Sequence, residues 1–174
     1  TIRTTGFETM SSESMSMQFG EIFVVCRWSG SNERWDNEVN GFIAGLSDSA
    51  DIGNGNIFYG QSGSADFGSL SLFNGEFYLN GDKISEDRLN RTVLPALSNG
   101  GMINARVLPG FGSAFIEGIG LGFKGFDPGN FHWIGDYAEI ICYDELLSSE
   151  DRQKVEGYLA YKWGLQPLLP IDHP

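Results

Sequence analysis

The sequence predicts an all-β fold in which two antiparallel sheets pack as a sandwich, with one short C-terminal helix. About ten short segments are rich in β-branched and aromatic residues, many of them with the alternation of a strand. The 24 glycines supply the tight turns that such a fold needs. Helical spacing is convincing in one stretch only, near the C-terminus. The length of 174 residues and the hydrophobic fraction of 41% suit a single domain spanning residues 1–174.

Strand patterns in the first half of the chain are joined by polar turns. The strongest strand is Glu21–Trp28 (EIFVVCRW), which we expect to be largely buried. Asn74-Gly75 predicts a hairpin turn because both positions of that turn favour positive φ. Asn80-Gly81 closes the strand that precedes it, and a loop or helical turn is expected at 82–92. The other predicted strands of this half are 14–19, 41–46, 57–61, 69–73 and 76–79.

Two cysteines lie within strand patterns. Further strands are predicted at 93–97, 102–108, 119–124 and 133–143. Alternation places Cys26 on one face with Ile22 and Val24, and Cys142 on one face with Ala138 and Ile140. Two buried free thiols are the favoured interpretation. A disulfide would require adjacent strands in register.

The C-terminal helix has clear start and stop signals. Ser148 begins an S-x-x-D pattern with Asp151, which resembles a capping box. Gly164 follows the last apolar position and Pro167 prevents continuation. The side chains predicted to share the buried stripe are Val155, Tyr158, Leu159 and Trp163.

Residues 133–174 also carry a family resemblance. The matching elements are Ala138-Glu139-Ile140, Tyr143-Asp144, Leu147-Ser148, Asp151-Arg152, the run 155–160, the run 162–165, Leu169-Pro170 and His173-Pro174. This block resembles the C-terminal signature of the concanavalin A-like lectin/glucanase superfamily, in its laminin-G-like branch. The resemblance covers roughly the last 40 residues and implies a jelly-roll sandwich. Such a signature marks a fold and says little about the ligand.

The net charge of −12 limits the kinds of molecule that the protein is expected to bind. An acidic chain with no cluster of Lys and Arg repels phosphate backbones, so we expect neither nucleic acid nor an anionic membrane as a partner. No apolar run approaches the length of a membrane span.

An oxygen-rich loop is the candidate metal site. Asp48, Asp51, Asn54 and Asn56 offer carboxylate and amide oxygens of the kind that Ca²⁺ prefers. Their order does not match an EF-hand. The alternative is a plain turn in which Asp and Asn bond their own backbone.

Loop aromatics are the candidate ligand contacts. Trp35 stands in a polar segment beside Asp36 and Asn37, and Tyr59 and Trp133 are further aromatic candidates. An aromatic ring stacks on the C–H face of a sugar, and neighbouring Asp and Asn side chains bind the hydroxyl groups. The alternative is that Trp35 covers one end of a sheet.

The sequence does not predict an enzyme. Glycoside hydrolysis requires two carboxylates that face each other across a cleft. The glucanase branch of the resembled superfamily carries them as E-x-D-x-x-E on one strand, a pattern that is missing here. Glu139 stands alone on its strand and is predicted to form a structural ion pair or to cap backbone groups.

Two hypotheses for function follow. The favoured one is a non-catalytic, lectin-like module that binds a cell-surface or extracellular glycan. Modules similar to this one occur in secreted bacterial proteins, adhesins and phage fibres, so the resemblance implies an extracellular or virion location and a multimeric assembly. The competing hypothesis is a structural or protein-interaction domain that binds no sugar.

Overall fold

The computed structural model describes residues 20–29, 76–84, 96–106 and 135–174 with their side chains, and the backbone of the other strands given below. Several predictions fall elsewhere in the chain. The strand at 69–73, Asn74 of the first predicted turn and residues 93–95 lie outside the described residues.

Fourteen strands are present in the described part of the chain. They are β1 (Ile2–Thr5), β2 (Met10–Ser11), β3 (Met17–Gln18), β4 (Glu21–Trp28), β5 (Ile43–Gly45), β6 (Asn56–Phe58), β7 (Gly60–Gln61), β8 (Ser64–Phe67), β9 (Gly75–Leu79), β10 (Asp82–Ile84), β11 (Gly101–Val107), β12 (Phe115–Ile116), β13 (Ile119–Leu121) and β14 (Ile134–Tyr143). One α-helix, α1 (Ser149–Trp163), follows them. The prediction of a mostly β chain with one C-terminal helix is confirmed, and no helix among these residues is long and apolar enough to cross a membrane.

The principal sheet is antiparallel, with strand order β1-β14-β4-β11-β9-β10. Its centre is β4, which pairs with β14 on one side and with β11 on the other. Strands β2, β13, β5 and β6 form a four-stranded sheet, and β3 with β12 and β7 with β8 form two-stranded pairs.

Both faces of β4 are buried. Ile22 and Val24 are fully buried on one face, as is Phe23 on the other. Helix α1 packs against the second face, where its residue Leu159 joins a core cluster with Phe23 and Val25. We call this side of the sheet the helix face.

A bulge in β14 changes which residues share a face. The register against β4 shifts between Tyr137 and Glu139. Ala138 therefore packs against the core of the helix face, and the expectation that it shares a face with Cys142 is wrong. Cys142 lies opposite Ile22, on the face away from the helix. Both cysteines are free thiols, as predicted, but only Cys26 is buried, whereas Cys142 is partly exposed.

Helix α1 begins and ends where the sequence indicates. The Ser148 hydroxyl accepts a hydrogen bond from the Asp151 amide (3.1 Å) and donates one to the Asp151 carboxylate (2.7 Å). Gly164 ends the helix in the left-handed conformation, with φ of 72°.

Val155, Leu159 and Trp163 pack against the core of the helix face as predicted, and the buried stripe of the helix differs from the predicted one at Tyr158. Tyr158 is 50% exposed, whereas Arg152 and Glu156 are buried together with Leu159. Arg152 and Glu156 form an ion pair one helical turn apart. The Arg152 guanidinium also lies 4.0 Å from the centre of the Tyr78 ring. A pattern based on apolar residues alone misses this stripe because its first two members are charged.

The Asn80-Gly81 turn joins β9 to β10 in a hairpin. Both residues have positive φ, 51° and 89°, as a tight hairpin turn requires. The prediction of a loop or helical turn at 82–92 is therefore wrong for β10, which pairs in register with β9. The predicted strand 93–97 is also wrong at its end, because Leu97 begins a 3₁₀ turn, Leu97–Asn99.

The residues after α1 close over this hairpin. A 3₁₀ turn, Gln166–Leu168, redirects the chain after Gly164. A Cβ atom placed on Gly81 would lie 3.1 Å from Pro170 and 3.2 Å from His173. The His173 ring in turn lies 3.1 Å from the buried Glu156 carboxylate. The C-terminal residues thus tie the helix to the β9–β10 turn.

Substituting Gly81 tests this closure. Gly81→Ala combines positive-φ strain, about 1–2 kcal/mol, with crowding against Pro170 and His173, which adds about 1 kcal/mol. The matched control is Gly164→Ala, because Gly164 also has positive φ but has nothing within 4 Å of an added Cβ. Urea unfolding should show the larger loss of stability for Gly81→Ala. Equal losses would show that the turn and the C-terminal residues are not closely packed.

Candidate functional site

The residues that sequence analysis proposed for ligand and metal binding lie largely outside the described residues. This holds for Trp35, Asp36, Asn37, Tyr59 and Trp133, and for Asp48, Asp51 and Asn54. Asn56 is the first residue of β6, where the structure describes the backbone. Among the described residues, no three His, Cys, Asp or Glu side chains come together in a group that could hold a metal ion.

An open cleft of about 510 Å³ lies on the helix face of the principal sheet. It forms where β4, β14 and the start of β11 meet the C-terminal end of α1. This volume is within the range of small-molecule sites. Its polar and aromatic lining residues are Arg27, Asn99, Asp136 and Trp163, and Val25, Ala138 and Leu165 supply apolar walls.

The charged part of the cleft is one cross-strand pair. Arg27 and Asp136 lie directly opposite each other on β4 and β14. The Arg27 Nε and Nη2 atoms both donate to Asp136 Oδ2, the first at 2.9 Å. The Asp136 side chain is 8% exposed and the Arg27 side chain is 47% exposed. The Arg27 side chain is therefore about half exposed to solvent, whereas the Asp136 carboxylate is largely covered.

Glycines form the base of the cleft next to this pair. Gly100 has φ of 90° and follows the 3₁₀ turn that brings Asn99 to the rim. A Cβ on Gly101 would lie 2.8 Å from Leu97, which is fully buried. The Asn-Gly-Gly sequence thus allows the chain to turn tightly into β11, and the close approach of Leu97 leaves no room for a side chain at Gly101.

The indole of Trp163 is fixed by Glu139. The Trp163 Nε1–H donates to Glu139 Oε2 over 2.7 Å, and the Lys162 ammonium lies 3.0 Å from Oε1. The predicted structural ion pair of Glu139 is confirmed. Burial favours the neutral form of Glu139, but the hydrogen bonds from Trp163 and Lys162 outweigh it and hold the pKa of Glu139 below its ordinary value of 4.5. The ring is therefore held at the cleft by a charge-assisted hydrogen bond.

A second polar cluster joins the sheet to the start of α1. Glu21 is fully buried, and its carboxylate accepts hydrogen bonds from Asn104 Nδ2 (2.9 Å) and from the Leu147 amide (3.0 Å). The Arg106 Nε atom lies 3.2 Å from Glu21 Oε2, without hydrogen-bond geometry. Arg106 also donates to the Leu147 carbonyl. Desolvation raises the pKa of Glu21 above 4.5, against the opposing effect of these donors. None of these residues lines the cleft, so we assign the cluster a structural role.

Sequence reasoning missed the cleft, although one signal for it was present. Arg27 stands in a strand otherwise buried on both faces, and alternation puts it on the same face as Phe23 and Val25. A charged residue at a core-facing position needs a partner or a function. Its partner Asp136 could not be assigned, because the pairing of β4 with β14 is a long-range contact.

The fold and the cleft define a class in structural terms: an antiparallel β protein with a helix-covered sheet and a mixed polar and apolar cleft at one end of that sheet. Comparison with protein-family models, with curated proteins and with solved structures finds no match to this chain. Inference about function therefore depends on the chemistry of the chain itself.

The Glu139 contacts generate a pH-dependent prediction. Because its pKa is lowered in the folded state, ionised Glu139 stabilises the fold above pH 4.5, and this contribution is lost as the pH falls through the lower folded pKa. Glu139→Gln should reduce the free energy of unfolding by about 1 kcal/mol at pH 7. The difference from the unmodified protein should vanish in strong acid, as followed by urea unfolding across the pH range.

The control variant removes a carboxylate that is exposed to solvent. Glu150 is 80% exposed and pairs with Lys154 on the surface of α1. Glu150→Gln should change stability little at any pH. A loss in Glu139→Gln that stayed constant down to pH 2.5 would contradict a role for the ionised form.

Proposed function

We propose that this protein is a non-catalytic carbohydrate-binding module. The observation that carries the proposal is the cleft, which combines a half-exposed arginine side chain, a covered carboxylate and an asparagine with an immobilised indole. These groups match the two surfaces of a sugar. Hydroxyl groups both donate and accept hydrogen bonds, and the C–H face of the ring packs on aromatic and aliphatic side chains.

The charge arrangement favours binding over hydrolysis. Among the described residues that line the cleft, Asp136 is the single carboxylate, and Arg27 is bound to it. A glycosidase needs one carboxyl group as acid and a second as nucleophile or base. Asp136 held by a guanidinium instead suits a fixed hydrogen-bond acceptor.

The loop residues proposed from the sequence extend this function. In the polar segment 29–40, Trp35 is proposed to stack on the sugar, and Asp36 and Asn37 are proposed to bind its hydroxyl groups. Tyr59 and Trp133 are proposed as further aromatic contacts with the sugar. Ca²⁺ is the proposed ion for the oxygens of Asp48, Asp51, Asn54 and Asn56. We also propose that the whole chain has the two-sheet jelly-roll fold of the concanavalin A-like superfamily.

The proposed location is extracellular or on the surface of a virion, with several copies of the chain in one assembly.

An alternative function is a structural or protein-interaction domain without sugar binding. The observation that favours it is the exposure of large apolar side chains near the C-terminus. Tyr161 is 80% exposed, Leu168 is 44% exposed and Ile171 is completely exposed. Of these, tyrosine is enriched at interfaces between proteins. Under this alternative the cleft has no ligand and the Tyr161 region contacts a neighbouring chain.

A glycan array separates the two functions. The purified protein, displayed on multivalent beads, should bind a defined set of glycans. Multivalent display is needed because a shallow polar site is expected to bind with a Kd of about 0.1–1 mM. Repeating the array with a chelator tests the proposed Ca²⁺ site, since a loss of signal would indicate metal dependence. No binding in either condition would favour the protein-interaction function.

Replacing Trp35 tests the loop contribution. Trp35→Ala should leave the midpoint of urea unfolding nearly unchanged and reduce glycan affinity at least tenfold, because one stacking surface is lost. Trp28→Phe is the control, because Trp28 is a buried core residue at 4% exposure and its replacement should affect stability and not affinity. A Trp35→Ala protein that unfolds would instead show that this side chain supports the fold.

A further inference from the structure

We propose that the outer face of helix α1 binds a second copy of this chain, with the two helices antiparallel. The outer face consists of the exposed residues that follow the first helical position, which are Glu150, Asp151, Lys154, Tyr158, Tyr161 and Lys162. The proposal names a surface for the assembly of several copies, and it does not depend on the ligand of the cleft.

The outer face lies opposite the side of α1 that packs on the sheet. Arg152, Glu156 and Leu159 are buried on that inner side. With 3.6 residues per turn, the six exposed residues fall within about one third of the helix circumference and so form one stripe. Tyr161 is 80% exposed and Tyr158 is 50% exposed. Tyrosine is enriched at interfaces between proteins because its ring is both large and amphipathic.

The charges of the outer face are divided between its two ends. Glu150 and Asp151 lie in the first turn of the helix, and Lys162 lies in the last turn. A parallel pair of helices would place each residue against its own copy, so that acids would meet acids. An antiparallel pair places the acidic end of one helix against the basic end of the other, with a two-fold axis between them.

A two-fold axis at the level of position 156 gives the groups at both ends a complementary partner. Asp151 then faces Lys162 of the second copy, and Glu150 faces Tyr161 of the second copy. The members of each pair are eleven positions apart in the sequence, which is about three helical turns, so they lie on the same side of the stripe. The first pair joins opposite charges, and in the second a carboxylate accepts a hydrogen bond from a phenol.

The middle of the outer face pairs a cation with an aromatic ring. Lys154 of one helix faces the Tyr158 ring of the other, where a cation–π contact forms. In the free chain the Lys154 ammonium contacts Glu150 at 2.9 Å and Asp151 at 3.0 Å. Exposed ion pairs of this kind contribute little to stability, so the Lys154 side chain turns to the second copy at low cost.

The Lys162 ammonium keeps its contacts within its own chain when the second copy binds. It lies 2.9 Å from the Tyr158 hydroxyl and 3.0 Å from Glu139 Oε1, and an ammonium has three N–H donors. The Lys162 side chain is 44% exposed and that of Asp151 is 55% exposed. The ammonium can therefore reach Asp151 of the second copy without releasing Glu139.

The net charge of −12 does not prevent this contact. Two copies repel each other overall, but at physiological salt the repulsion between exposed charges is largely screened beyond about 8 Å. The outer face itself is neutral, because its two acids are balanced by two lysines. Contacts across the outer face are therefore attractive at short range.

Sedimentation equilibrium of the purified chain over a range of concentrations tests the dimer. The unmodified protein should show a reversible equilibrium between monomer and dimer. Tyr161→Glu should weaken dimerisation about tenfold or more, because a carboxylate at position 161 would face Glu150 of the second copy. The matched control is Ile171→Glu, which adds the same charge at a completely exposed residue outside α1 and should leave the equilibrium unchanged. Urea unfolding checks that both variants keep the stability of the unmodified chain.

A second substitution tests the antiparallel arrangement. Adding Glu150→Lys to Tyr161→Glu places opposite charges at two positions that face each other across the antiparallel pair. The doubly substituted chain should therefore dimerise about as tightly as the unmodified one. In a parallel pair the same two substitutions would set like charges against each other, and dimerisation would stay weak.

The outcomes separate this inference from the proposed function. A chain that stays monomeric at every concentration would overturn the inference, as would a dimer that Tyr161→Glu does not weaken or a doubly substituted chain that does not dimerise. These results leave carbohydrate binding open to its own test, since no residue of the outer face lines the cleft. A chain that dimerises as expected but binds no glycan on the array would support the inference and contradict the proposed function.

Discussion

The antiparallel pairing of β4 with β14 is the constraint on which the rest of the described structure depends. Glu21–Trp28 pairs along its whole length with the strand that leads into the helix. This contact joins residues more than a hundred positions apart, and its cost in chain entropy is offset by burial on both faces of the sheet. Helix α1 has its place on the sheet because β14 ends beside Glu21, and the cleft exists because the same two strands extend past the end of the helix.

Polar contacts then fix the helix at both of its ends. At its start, Glu21 and Arg106 hold the Leu147 backbone through an amide and a carbonyl. At its end, Glu139 holds Trp163 and Lys162. Buried or half-buried polar contacts of this kind contribute less net stability than apolar packing, but they are strongly directional. They allow one orientation of the helix on the sheet, and so they determine where the Trp163 ring stands relative to Arg27.

Local sequence signals predicted the parts of the fold that are encoded locally. The bounds of β4 were predicted to the residue, and the helix was placed by its Ser148 cap and its Gly164 stop. Errors arose where pairing with another strand or side chain, and not the residue's own propensity, decides the structure. Asp82–Ile84 is charged and exposed at two of its three residues, so its strand character comes from pairing with β9 and not from its composition. Arg152 and Glu156 are buried because they satisfy each other, which no apolar pattern reveals. The cleft was missed for the same reason, since Arg27 and Asp136 meet only through the sheet.

The bulge at Ala138 has a consequence for how this cleft and the helix anchor are connected. Asp136 and Glu139 are separated by three positions, and in a regular strand an odd separation places side chains on opposite faces. The extra residue turns that odd spacing into a shared face, so that one carboxylate meets Arg27 and the other meets Trp163. A single extra residue thus places two acidic side chains of one strand, Asp136 and Glu139, on the same face of the sheet. The length of the segment between the two acids therefore shapes the cleft as much as the acids themselves do.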